Sequence, residues 1–451
     1  MASASMEPGK ARSEGISYQD LLKTDSHPVP DVLKQESPAY MGSDDISVER
    51  YTSRAFHELE VEKLWSRVWQ MACREEELVE VGDHVVYDIG PYSILVVRSA
   101  PGEIRAFHNA CLHRGRQLRD VGGNVPEFRC PFHGFTWRLD GRLKDIPCAW
   151  DFPHVKGGEW RLPEVKAETW GGFVFINMDA DAEPLLDYLG DLPNHFSRWP
   201  LEDRFKQAHV AKIMHCNWKV AQEAFMEAFH VVGTHPQMLA GIGDANSQYD
   251  VYDNFSRAIT PNGTPSPHID YVPSQQEMFD AMTDRRMDEP PAAEIPEGMT
   301  ARQLTGMGAR AMLQQVIGDA ANELCDAELS DSFYYTLFPN FHPWGAYNRI
   351  TYRFRPYQND PDRSIMEVIY LSPFPKGERP PPAPIHWLAA EDDWTDAPEL
   401  GFLARVFNQD TFNLPKVQRG LHATRKPGVT LANYQETKIR HFHRMLDRFI
   451  A

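Results

Sequence analysis

Cys111-Leu-His113 and Cys130-Pro-Phe-His133 are separated by sixteen residues. Each Cys-to-His step is short enough for one loop to present a thiolate and an imidazole to a single centre. Two Cys and two His can hold a [2Fe–2S] cluster asymmetrically, with thiolates on one iron and imidazoles on the other. Such a cluster has a higher potential than an all-Cys ferredoxin cluster. Structural zinc is the other use of this ligand set. Zinc fingers, however, separate a Cys-Cys pair from a His-His pair. Here each loop carries one of each, within a strand-rich stretch, and the spacing reads as a cluster. Gly115 and Gly134 follow the two pairs and suit tight turns that bring backbone N–H groups toward the sulfurs.

A second set of ligand types lies further on, in Asn217-Trp218-Lys219…Glu223…Glu227…His230…His235-Pro236. Two His with a distant carboxylate make a facial site for non-haem Fe(II) with open positions. On an unbroken helix, residues five apart point about 140° away from each other. Both rings reach one ion only if the helix ends or distorts between them, and Gly233 and Pro236 are placed to do that. Residue types alone leave two unrelated histidines as the plainer reading in a chain with 18 His.

These groups need elements to hold them. Tyr51 to Trp69 reads as a helix with Glu and Lys on one face and Phe56, Leu59, Val61, Leu64 and Trp65 for the other. Short apolar strands follow at His84–Ile89, Ser93–Val97, Ile104–Asn109 and Thr136–Leu139, a small all-β unit containing both Cys/His pairs. After Pro163 the rhythm changes, with a strand near Gly172–Met178 and a helical run from Trp218 to about Val232. Arg349–Arg355 alternates as a half-buried strand, and Ile365–Leu371 is its expected hairpin partner across Asn359-Asp360-Pro361-Asp362. Pro261 to Gly298 and Gly377 to Pro384 read as loops, the first a candidate lid. Ile439, Phe442, Leu446 and Phe449 repeat at helical spacing, so Tyr434 to Ile450 is expected to close the fold as a helix.

At 451 residues, 42% hydrophobic and 11% aromatic, the chain is globular in composition and long enough for two or three domains. No apolar run approaches the ~18–20 residues of a membrane helix, and residues 1–38 lack a signal-peptide core and read as a loosely ordered arm. A soluble, cytoplasmic protein is expected. The formal net charge of −18 disfavours nucleic-acid or anionic-membrane partners. Around the cluster motif the sign reverses: Arg114, Arg116, Arg119, Arg129, Arg138, Arg142 and Lys144 face four acids between residues 110 and 145. This patch is a candidate dock for an acidic electron donor. Cys73, Cys148, Cys216 and Cys325 have no ligand-spaced neighbours and are expected to be packed residues.

The cluster stretch, from Ala106-Phe107-x-Asn109 through Cys111-x-His113-Arg114-Gly115 and Cys130-Pro131-x-His133-Gly134-Phe135-x-Trp137 to Gly141-Arg142-Leu143, resembles the Rieske domain of ring-hydroxylating oxygenase α subunits. The likeness extends from about Tyr51 to the C-terminus. It implies an α+β chain. Residues 1–47 would be an arm, 48–165 an all-β Rieske [2Fe–2S] domain, and 166–451 a helix-grip (START-like) catalytic domain with an antiparallel sheet.

By the same resemblance, Cys111, His113, Cys130 and His133 hold the cluster, while His230, His235 and a late Asp hold mononuclear iron. Asp410 in Phe407-Asn-Gln-Asp410 matches that Asp best; Asp392 and Asp393 are rivals. Glu227 stands where the family has an acid linking the iron's histidine to a cluster histidine of the neighbouring subunit. Ala224 and Phe229 replace the Asn and Tyr common in relatives, and imply a more apolar pocket or nothing. The implied activity is O2-dependent dihydroxylation or monohydroxylation of an aromatic or other apolar molecule, with N- or O-dealkylation as the alternative. A Rieske electron-transfer protein with an inert second domain is the rival from another class. Electrons would come from NAD(P)H through a separate reductase or ferredoxin, since the chain has no dinucleotide-binding glycine fingerprint and no second Cys cluster. A homotrimer (α3) is implied, with small β subunits (α3β3) left open.

Overall fold

The computed structural model describes residues 7–156, 159–286 and 289–451. The short apolar runs beyond Glu80 become strands, as their β-branched content and alternation predict. The first sheet is built from β1 (Gln70–Arg74), β2 (Asp83–Ile89), β3 (Tyr92–Ala100), β4 (Glu103–His108) and β5 (Gly123–Asn124). A small three-stranded sheet comes next, of β6 (Phe128–Arg129), β7 (Thr136–Trp137) and β8 (Leu143–Asp145). The chain then returns to the first sheet with β9 (Glu164–Trp170) and β10 (Phe173–Asn177), giving the antiparallel order β1-β10-β9-β4-β3-β2-β5. This sheet runs to Asn177, so a boundary at 165 falls inside it.

The second sheet is larger and positions the other site. Its strands are β11 (Arg204–Met214), β12 (Gln248–Val251), β13 (Phe255–Thr260), β14 (Ser332–Leu337), β15 (Phe341–Pro343), β16 (Ile350–Tyr357), β17 (Asp360–Pro373) and β18 (His386–Leu388). The order is β12-β13-β14-β15-β16-β17-β11-β18, antiparallel except for β18, which runs parallel to β11. The expected hairpin is β16–β17, in register Ile350↔Tyr370 and Phe354↔Met366. The helices of this part of the chain include α1 (Trp218–Glu223), α2 (Val231–Thr234), α3 (Gln275–Met282), α4 (Ala301–Ile317), α5 (Leu403–Ala423) and α6 (Thr437–Ile450). Phe407 and Leu414 of α5 pack into a core with Val210, Tyr352 and Val368 of the sheet. Ile439, Phe442, Met445 and Leu446 of α6 close a second core that also holds Trp65 and Trp218. The α+β arrangement, a cluster-bearing β unit followed by a helix-covered antiparallel sheet, is the one expected. No helix among the described residues is long and apolar enough to cross a membrane.

Five local expectations change. The run Tyr51–Trp69 breaks at Ser53, which caps Arg54–Leu59, and continues as a π-helical turn to Trp65. Its polar face is only partly solvated: Glu58 and Glu62 are exposed, but Glu60 is fully buried against Lys219 at 2.6 Å. The arm is packed rather than loose over its described part: Tyr18 and Leu33 are buried, and Arg257 donates to the Val32 and Gln35 carbonyls. The run 261–298 contains α3, started by a Ser274/Glu277 capping box. Cys148 is exposed, while Cys73, Cys216 and Cys325 are packed as expected. The arginine face of β16 is also covered. Arg353 is 4% exposed and grips Glu367 with two 2.6 Å bonds, then donates to the Met71 and Ala72 carbonyls of β1 at 2.8 Å. Alternation identifies the strand but not its second neighbour, the first sheet itself.

Candidate metal centres

The cluster motif forms two loops of the same construction. Gly115 N–H donates to the Cys111 carbonyl at 2.9 Å and Gly134 N–H to the Cys130 carbonyl at 3.0 Å. Both glycines have left-handed φ, 75° and 76°, which a side chain adopts only with strain. Cys111 N–H donates to Arg116 O and Cys130 N–H to Phe135 O, so each thiol is anchored by the residue five beyond it. Phe107, Leu118, Phe128 and Trp137 form the floor, and the two cysteines are buried in it.

The imidazoles lie on the opposite, outer side. The His113 and His133 rings are 4.5 Å apart, and His113 stacks on Phe135 at 4.6 Å. His113 Nδ1 is a buried nitrogen with no hydrogen-bond partner among the described residues, which suits it to a metal. Burial pushes the Cys111 thiol up, and the neighbouring Cys130 adds to this. Thiolates there need a cation between them. A single tetrahedral zinc would draw the ligand atoms into one tight group. Among the described residues, these four do not supply three ligand atoms within 4.8 Å of one another, whereas His230, His235 and Asp410 do. Thiols on one side and imidazoles on the other fit a two-iron cluster.

The second set comes from distant stretches. The helix expected from Trp218 to Val232 stops at Glu223, and a turn leads to His230, which precedes the four-residue α2. His235 ends α2 with φ −126° and ψ 52°, so the chain breaks at the residue before Pro236, one of the two expected breakers, and not at Gly233. The break turns both rings to one side, with centroids 5.4 Å apart. Asp410, on the buried face of α5, meets them: its Oδ1 is 2.8 Å from His235 Nε2 and 3.5 Å from His230 Nε2. Ligand bonds of about 2.1 Å at right angles would place donor atoms about 3 Å apart, so an ion fits among these three. Asp392 and Asp393 are occupied in turns, accepting from Ala389 N–H and Thr395 N–H.

Glu227 folds back on His230. One oxygen accepts from His230 Nδ1 and the other from its backbone N–H, both at 2.9 Å. Burial opposes a charge on His230, but the Glu227 carboxylate, with Asp410 behind it, outweighs burial and holds the imidazole up at about 9. Gln409 Oε1 lies 2.8 Å from His235 Nδ1. Sequence order carries no warning of that contact, because neighbours on a helix point about 100° apart. Phe225 packs against Tyr352, Phe354 and Phe407, an aromatic group beside the helix that carries Asp410. Met226 belongs to the main core. Phe229 is 41% exposed, so its ring lies at the surface and does not enclose a pocket. A cleft of about 700 Å³ between the two sheets, lined by Tyr87, His209, Arg353 and Trp387, includes none of the metal-site residues.

The fold thus joins a Cys2His2 set suited to a two-iron cluster and a separate His2Asp set suited to a single metal ion in one chain. The family model for the ring hydroxylating alpha subunit (catalytic domain) matches residues 193–451, and the Rieske [2Fe-2S] domain model matches residues 68–156. The chain belongs to the ring-hydroxylating alpha subunit family and carries its Rieske [2Fe–2S] domain.

Among curated relatives, the biphenyl 2,3-dioxygenase alpha subunit of Rhodococcus jostii (strain RHA1) is 33% identical over 205 residues, covering 43% of this chain and 44% of that protein. The glycine betaine monooxygenase oxygenase subunit of Pseudomonas aeruginosa is 29% identical over 192 residues, covering 42% and 44%. The matched stretches therefore span less than half of those relatives' lengths. Two solved structures share the fold at 18% identity and TM-score 0.64. One is a naphthalene 1,2-dioxygenase, with 91% and 93% of the two chains covered; the other is a quaternary ammonium Rieske monooxygenase, with 90% and 95%.

Proposed function

We propose that this chain is the terminal oxygenase of a system that takes electrons from NAD(P)H through a separate reductase or ferredoxin and uses O2 to hydroxylate an aromatic or other apolar molecule. The observation that carries this reading is the pair of metal-ready side-chain sets in one chain: Cys111/His113/Cys130/His133, and His230/His235/Asp410. When bound, the cluster would supply one-electron transfer and the ferrous ion would supply O2 activation beside the substrate.

The residues have distinct tasks in this proposal. Cys111 and Cys130 hold the cluster from the buried side, and His113 and His133 from the outer edge. Asp410 supplies the one anionic ligand of the mononuclear site. Glu227 holds the Nδ1 proton of His230, leaving Nε2 for the metal, and retains lone pairs for an imidazole of a neighbouring chain. The aromatic group around Phe225 is packed core and excludes water beside the Asp410 helix.

A homotrimer is the proposed assembly, with α3β3 distinguished from it by mass. Phe132 and Trp150, 57% and 81% exposed, flank the cluster loops, and Phe229 and Val232 are exposed beside Glu227. Exposed apolar surface at both edges favours a head-to-tail contact that closes into a ring. Thiolate ligands and NAD(P)H-derived electrons favour a reducing, cytoplasmic setting. Likeness to the glycine betaine monooxygenase subunit supports oxidative dealkylation as the second reading.

The test supplies reductase and NAD(P)H and screens aromatic and quaternary-amine compounds for stimulated O2 uptake, with product mass recorded. Hydroxylation is read as added oxygen on an intact skeleton, dealkylation as a shortened amine or ether plus an aldehyde. Cluster reduction without any substrate-dependent O2 uptake across the screen would leave an electron-transfer protein.

A further inference from the structure

A histidine ligand offers one nitrogen to the metal, and its other N–H must be held for the ring to keep that tautomer and direction. At His230 the holder is Glu227. The second histidine has a different arrangement. Gln409 Oε1 lies 2.8 Å from His235 Nδ1, and the same oxygen accepts from Gln237 Nε2 at 2.9 Å. Gln409 Oε1 can only accept, so the Nδ1 facing it is the donor, and the Gln409 NH2 in turn reaches Gln237 Oε1 at 3.5 Å. Nδ1 therefore carries the proton. Nε2 lies 2.8 Å from Asp410 Oδ1, a carboxylate oxygen that can only accept, so a metal bound there would take the place of a proton on Nε2. Gln409 and Asp410 are consecutive on α5, and His235 lies across that helix so that one residue meets each ring nitrogen. The ring is 3% exposed, so water does not replace the amide.

We propose that Gln409, braced by Gln237, is a positioning residue that locks His235 in its metal-binding tautomer and makes the two histidine ligands electronically unequal. The inequality arises from the partners. A carboxylate on Nδ1 pushes more electron density onto the ring than a neutral amide does. His230 thus faces an anionic partner at Nδ1 and His235 a neutral one. A second carboxylate at position 409 would add another negative charge beside Asp410 and Glu227. This inference rests on the reading of His230, His235 and Asp410 as the iron site.

The experiment uses the full chain with its cluster assembled and compares Gln409→Leu, Gln409→Glu and Gln237→Leu with the parent. Mononuclear iron retention is measured by competition with a chelator, and cluster absorbance and melting temperature are recorded alongside. Loss of a residue that orients a ligand lowers metal affinity about 10–100-fold. Gln409→Leu is expected to lose affinity in that range with the cluster spectrum and melting temperature unchanged. Gln409→Glu should restore it and lower the Fe(III)/Fe(II) potential, and Gln237→Leu should weaken retention a few-fold. The proposal is overturned if Gln409→Leu holds iron as tightly as the parent. It is also overturned if that variant loses iron, cluster and melting temperature together, or if Gln409→Glu fails to restore retention. Asp410→Ala run in parallel separates the two levels. If it too keeps iron, the reading of the site has failed; if it alone loses iron, only the role of Gln409 has.

Discussion

The two metal sites are built on opposite plans. The proposed cluster ligands lie within 23 residues on two loops of the same construction, each closed by a left-handed glycine and anchored through backbone bonds. The proposed iron ligands come from the α2 segment and α5, 175 positions apart in the case of His235 and Asp410, and meet through side chains alone. Charge divides the sites as well. On the cluster side Arg116, Arg142 and Lys144 are paired with Asp120, Asp140 and Glu127, while Arg114, Arg129 and Arg138 have no ion pair among the described residues. On the iron side, burial, with Glu227 and Glu223 adding to it, pushes the Glu436 carboxyl up to about 7. A local site tolerates change elsewhere in the chain, whereas a dispersed one depends on the whole packed sheet.

The largest effects should come from removing one anchor on each side. Asp410→Ala is expected to cost more than the ~100-fold in iron affinity typical of an outer partner and to abolish O2 uptake while the cluster spectrum stays. Cys130→Ala should do the converse, bleaching the visible cluster bands while one iron per chain remains by metal analysis. If either variant empties both sites, the sites are not independent.

Glu227→Gln tests the link between them. The amide oxygen still accepts the His230 Nδ1 proton, so iron should stay. Steady-state turnover should fall about 10–100-fold while each centre keeps its own spectrum. Unchanged turnover would remove Glu227 from the route between chains.

Smaller effects test the two charge patterns. Reduction by an acidic donor should slow a few-fold as ionic strength rises from about 0.01 M to about 0.15 M, where screening shortens from ~30 to ~8 Å. A salt-insensitive rate would place the dock elsewhere. Glu436 has its folded pKa raised above the unfolded value, so it costs stability as pH rises. The cost is absent below about 4.5, grows as the unfolded carboxyl ionises, and is complete above about 7. Glu436→Gln should therefore raise stability by about 1–3 kcal/mol at pH 8 and by nothing at pH 4.5, read from urea midpoints. An equal gain at both pH values would show that ionisation is not the cause.

Legibility in the sequence divides along the same line. A turn with a fixed Cys-to-His step is a local object, so its residues, its glycines and the strands β2, β3, β4 and β7 can be read from order and spacing, while β1, β5, β6, β8 and β9 are not. His230 and His235 are readable as a pair needing a break between them. The break falls at His235 rather than Gly233, and the preceding helix ends well before Val232. Apolar periodicity does not register where a side chain such as Glu227 takes over the backbone N–H groups. The arm and the arginine face of β16 are more deeply covered than their patterns predict, because pattern gives a residue's face but not what later packs on it.

The class of chemistry is therefore a property of residue order. Ligand types at fixed short steps set which metals the chain can hold, and resemblance points to the distant Asp410. Packing in three dimensions brings Asp410, rather than Asp392 or Asp393, to the two histidines, and sets Gln409 beside it to grip His235 from the other end. Convergence of that kind depends on how α5 lies on its sheet. It is set by the summed packing of Phe407, Leu414 and their partners, which no short stretch of sequence contains.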